Sequence, residues 1–68
     1  MTAEEFRTAQ ADLGLTNREM ADALSLSVQM VEAMRAGRRK VGRQTVSLLG
    51  FLMMQLAGRR ILSPTARR

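Results

Sequence analysis

The chain contains no cysteine and no histidine. The first absence excludes disulfides, and the two together exclude the thiolate- and imidazole-ligated metal sites that staple many small domains. Tyrosine and tryptophan are missing as well, which leaves Phe6 and Phe51 as the whole aromatic content. Stacking platforms for single-stranded nucleic acid are therefore hard to build. An enzyme is not expected, because only carboxylates, lysine and hydroxyls remain for proton transfer or nucleophilic attack. No cofactor, no metal and no small-molecule ligand are expected either.

Long apolar runs are also lacking. The longest stretch, residues 46–57, includes Ser47 and Gln55 and falls well short of the roughly 20 residues a membrane-spanning helix needs. The chain begins Met1-Thr2-Ala3-Glu4-Glu5, acidic where a secretory signal is basic. A cytoplasmic protein without a membrane partner is the expectation.

Acidic residues disappear after Glu32. All six (Glu4, Glu5, Asp12, Glu19, Asp22, Glu32) precede Met34 and face only Arg7 and Arg18 there, so the first half carries −4. From Arg35 onward nine Lys or Arg and no acid give +9. Segregated charge of this kind favours a polyanionic partner met by one part of the molecule. A solvated basic face that only keeps the protein soluble is the alternative at this point.

What is present is ordinary for a folded domain: 46% apolar and 25% charged residues in 68. A chain this short buries only about 60% of its unfolded surface, and its core supplies roughly 3–5 kcal/mol. With disulfides and metals gone, self-association is the staple left, and a homodimer is expected.

The punctuation is helical throughout. Thr2 and Glu5 are spaced as a capping box, each side chain satisfying an orphan backbone N–H. Phe6, Ala9 and Leu13 then share a face, and Gly14 suits the left-handed residue that closes a helix. Helix 1 is read as 3–13. Thr16 and Glu19 repeat the box, and Met20, Ala21 and Leu24 line helix 2, read as 17–24. Ser27 is the next N-cap, with Val31 and Met34 facing inward from helix 3, 28–36, which Gly37 stops. After the basic loop Arg38-Arg39-Lys40-Val41-Gly42 comes helix 4, 43–57, with Gly58 as its stop. Its apolar residues point in nearly every direction, and a helix apolar all round is buried all round. Three short helices cover one side of it. Phe51, Met53, Met54, Leu56, Ile61 and Leu62 are therefore assigned to a seam with a second copy. The fold class is all-α, four to five helices, with residues 1–58 as the domain and 59–68 as a basic C-terminal tail.

Short helix, tight turn, short helix, with small Ala21 at the crossing, is the physical recipe for a helix-turn-helix, although any helical hairpin in a bundle shares the spacing. Thr16-Asn17-Arg18-Glu19-Met20-Ala21-Asp22-Ala23-Leu24-Ser25-Leu26-Ser27, continuing through Val31-Glu32 to Ala36-Gly37-Arg38-Arg39, resembles the Cro-like (XRE-type) phage-repressor helix-turn-helix. That family reads Thr-Gln-x-x-Leu-Ala-x-x-Leu-Gly-Val-Ser, then Val, then Trp-Glu-x-Gly-Arg-Arg. The likeness covers about residues 3–52. Three positions depart from it: Ser25 for glycine, Met34 for tryptophan and Asn17 for glutamine. At Ser25 a positive φ comes at a cost that glycine avoids.

The resemblance implies a Cro/lambda-repressor-like domain from a bacterium or phage, binding double-stranded DNA as a transcriptional repressor, a reading in which helix 3 enters the major groove. Val28, Gln29, Glu32 and Ala33 become the base contacts, Gln29 foremost because its amide pairs with adenine N6 and N7. Met30 is placed at the core edge. Asn17, Arg18, Ser27, Arg35, Arg38, Arg39, Lys40 and Arg43 become phosphate contacts, which fix register without reading sequence. The operator is then palindromic, with half-site centres about 34–36 Å apart. A different class of reading is an antitoxin-like module that uses helix 4 as the surface for another protein. A membrane-active basic peptide suits capped short helices less well than one long amphipathic helix.

Overall fold

The computed structural model describes the backbone of residues 1–66 and the side chains of residues 1–58. These residues form four helices and no strand: α1 (Ala3–Leu13), α2 (Asn17–Leu24), α3 (Val28–Ala36) and α4 (Arg43–Ala66). The starts of all four, and the ends of the first three, fall at the expected residues.

Both capping boxes form. Glu5 accepts from the Thr2 backbone N–H at 2.8 Å and the Thr2 hydroxyl accepts from Glu5 N–H at 3.1 Å. Thr16 and Glu19 repeat the exchange at 2.9 and 3.1 Å. The Thr2 N–H holds the Glu5 carboxyl below its ordinary value, helped by the N-terminal charge and opposed by slight desolvation. α3 starts differently. Ser27 accepts from Met30 N–H at 3.1 Å, but no acid lies in its first turn.

Three helices end alike, each on a left-handed residue: Gly14 (φ 69°), Ser25 (φ 58°) and Gly37 (φ 80°). The following N–H reaches back to the fourth carbonyl from the end, Leu15 to Gln10, Leu26 to Ala21 and Arg38 to Ala33. Orphan carbonyls are satisfied in this way without any other element. Ser25 carries the strain that glycine would avoid.

The core is Phe6 from α1, Met20, Ala21 and Leu24 from α2, Val31 and Met34 from α3, and Leu49 from α4. The inward stripes read from the spacing of Met20, Ala21, Leu24, Val31 and Met34 are all closed. Packing is closest between α2 and α3 and between α1 and α3, with α4 laid across α1 and α2. Arg7 ties α1 to the end of α3 by donating to the Arg35 carbonyl.

α4 departs from the expectation at its far end. Gly58 does not stop it, and the helix continues to Ala66. A glycine inside a helix costs only about 1 kcal/mol relative to alanine, too little to end one by itself. The described residues measure 46 × 20 × 18 Å, and a 24-residue helix is about 36 Å long. The C-terminal part of α4 therefore reaches past the other three helices. No helix among the described residues is long and apolar enough to cross a membrane.

Candidate nucleic-acid interface

The unit α2–turn–α3 places its residues through the Ser25-Leu26-Ser27 connection. Leu26 turns its side chain toward the core while its N–H closes α2 at 2.8 Å. Ala21, 2% exposed, sits in that core, where a longer side chain would hold the helices apart. α3 is thus held on one side, and its other side is solvent-facing.

Gln29 and Glu32 lie exposed on that outer side, as expected of residues free to meet a partner. Ala33 is half-buried. Val28 is a correction: it is half-buried and packs against the core rather than facing fully outward. Helical geometry explains it, since Val28 lies three residues before Val31 and so shares the buried side. Met30, also half-buried against the core, is at the core edge as anticipated.

Arg18, Ser27, Arg38, Arg39, Lys40 and Arg43 are all exposed. Four of those six cluster in residues 38–43, directly after the Gly37 closure, so the run begins where α3 ends. At the opposite end of α3, the N–H groups of Val28 and Gln29 precede the first intrahelical donors and point out of the helix start. With no carboxylate beside them, they present partial positive charge that suits an anion.

Asn17 and Arg35 are held by a residue that sequence reasoning did not single out. Gln10, 4% exposed, is buried under α2 and α3. Its amide nitrogen donates to the Leu15 carbonyl at 3.1 Å and to Asn17 Oδ1 at 2.8 Å. Its oxygen accepts from the Arg35 guanidinium at 3.0 Å. Both amide hydrogens are used, which is what a buried amide requires. With Oδ1 of Asn17 occupied, its NH2 remains the group free to donate. Arg35 is half-buried and spends one of its N–H donors on Gln10, so it is less free than the other cations. A signal for Gln10 was in the chain: it lies four residues after Phe6 and three before Leu13, a polar residue on an apolar stripe.

The set assigned to a seam on α4 divides. Phe51 and Met54 are 59% and 74% exposed and unpartnered among the described residues. Met53 instead turns toward α1, and Leu56 toward Leu13, Leu15 and Ala23. Their spacing from Leu49, four and seven residues, keeps both on the inner half of the helix. Ile61 and Leu62 lie outside the residues whose side chains are described. A scan of protein-family models finds no match to this chain, and neither do searches of curated proteins and of solved structures.

Proposed function

We propose that this chain is a Cro-like, sequence-specific double-stranded DNA-binding regulator, a homodimeric cytoplasmic repressor rather than an enzyme. The observation that carries the proposal is the helix–turn–helix unit with Gln29 and Glu32 exposed on the outer face of α3 and the cations of residues 38–43 following it. In the proposed complex α3 lies in the major groove. Gln29 reads an adenine edge, and Glu32 accepts from cytosine N4. Ser27, Asn17, Arg18 and the free N–H groups at the start of α3 take one stretch of phosphates, and Arg38, Arg39, Lys40 and Arg43 take another. Charge segregation supports this reading, because all six acids lie on α1–α3 and nine of the eleven cations follow Met34.

The exposure of Phe51 and Met54 supports self-association through α4. It equally favours the second reading, a module whose α4 face holds a different protein. Sedimentation of the purified chain separates them: a stable dimer supports the regulator, and a monomer that aggregates until a partner is added supports the module. The DNA reading is tested by selecting duplexes from a random library at low ionic strength. Enrichment of a palindromic site is the expected result, and a selected pool no better bound than the starting library would refute it.

A further inference from the structure

A groove of about 770 Å³ runs between α1 and the first half of α4. Its floor is apolar, made of Val46, Leu49 and Met53, and its rim on α1 carries the exposed carboxylates Glu4, Glu5 and Asp12. The groove lies apart from the outer face of α3 and contains none of the residues assigned to DNA. An apolar floor under an acidic rim suits a segment that is both apolar and basic.

Residues 59–68 are such a segment: Arg59, Arg60, Arg67 and Arg68, no acid, and Ile61 and Leu62 among them. Residues 59–66 cannot occupy the groove of their own chain. α4 is one helix from Arg43 to Ala66, so its end cannot fold back onto residues 46–53. A second copy has no such restriction. If two α4 helices run antiparallel and cross at the level of Leu56, residues 59–66 of each stand opposite residues 53–46 of the other.

We infer that the α1–α4 groove receives the arginine-rich end of α4 from a second copy, with Glu4, Glu5 and Asp12 facing its guanidinium groups. The inference rests on the homodimer in the proposed function and specifies how the two chains register. Because the exchange is reciprocal, each dimer contains two such contacts, and charge complementarity selects antiparallel over parallel pairing.

The test is a charge swap read by sedimentation equilibrium on DNA-free protein. One variant carries Glu4→Lys and Asp12→Lys, sparing the Glu5 cap, and the other carries Arg59→Glu and Arg60→Glu. Each alone is expected to weaken its homodimer about tenfold or more, a change of about 1.4 kcal/mol. Mixed together they form a heterodimer in which both contacts are again opposite in sign, and wild-type affinity returns. Circular dichroism melts confirm that each is folded. Should a reversal variant fail to fold, the neutral pair Glu4→Gln and Asp12→Asn is expected to weaken the dimer by a smaller factor that shrinks as salt is added. Variants that dimerise like wild type, or a mixture that recovers nothing, would overturn the groove contact. A dimer lost on Phe51→Ser but untouched by the charge swaps would overturn it while leaving self-association standing, and a wild-type chain that is monomeric throughout would overturn both. Selection of DNA duplexes is measured separately, so failure of the DNA reading is distinguishable from either.

Discussion

The Gln10 side chain donates to Asn17 Oδ1 across 2.8 Å, joining the middle of α1 to the first residue of α2. Through its oxygen the same amide holds Arg35 on α3. One buried side chain therefore sets the relative position of three helices. Gln10→Leu conserves volume and removes all three bonds, stranding the Leu15 carbonyl, Asn17 and a half-buried guanidinium. A loss of roughly 1–3 kcal/mol is expected, measured as a lower denaturant midpoint with unchanged m-value. DNA affinity should fall at concentrations where the variant is still folded, because Asn17 and Arg35 lose their orientation.

Ser25 occupies the left-handed region at φ 58°. That conformation costs a side chain roughly 1–2 kcal/mol, and glycine returns part of the gain through its looser unfolded chain. Ser25→Gly should stabilise the domain by about 0.5–1 kcal/mol. For a domain of this size each kcal/mol moves Tm by about 4–8 °C, so a thermal melt resolves it. A lower Tm would mean that the serine side chain contributes something its backbone strain conceals.

Glu5 has its carboxyl depressed below 4.5 by the Thr2 N–H and, less, by the N-terminal charge. A depressed folded-state value contributes stability that is complete above 4.5 and is lost as pH falls through the lower, folded value. Acidification should therefore fray the start of α1. The Thr2 amide resonance, followed by NMR, should titrate with a midpoint below that of a free glutamate. Thr2→Ala should move the midpoint little, since the main bond comes from the backbone N–H rather than from the hydroxyl.

Gln29 and Lys40 are both exposed but are assigned different tasks. Gln29→Ala should cost roughly 1–3 kcal/mol at one base position and relax specificity there. Lys40→Ala should weaken every duplex alike and reduce the salt slope by about 1. Binding isotherms on selected and random duplexes at several salt concentrations give both quantities. Equal losses on the two duplexes for both variants would remove the assignment.

The starts of α1, α2 and α3 and the ends of α1 and α3 were legible in the sequence because a cap is chemistry between residues three or four apart. Thr2 with Glu5, Thr16 with Glu19, and the left-handed Gly14 and Gly37 need no knowledge of the rest of the fold. Gln10 was not legible to the same degree, because its partners Asn17 and Arg35 lie seven and 25 residues away and only packing brings them near. Val28 was placed by its neighbours Gln29 and Glu32 when its spacing from Val31 was the stronger constraint. The end of α4 was misread for an energetic reason: a glycine makes a stop available without enforcing it.

Leu49 is the one buried apolar side chain among the described residues of α4, whereas α2 and α3 contribute five between them. A helix fastened at so few points is the element whose amides exchange with solvent soonest. Whatever settles on its outer face therefore also decides how firmly it is attached to the rest of the molecule. In the proposed homodimer, resistance to unfolding should rise with the concentration of the chain itself.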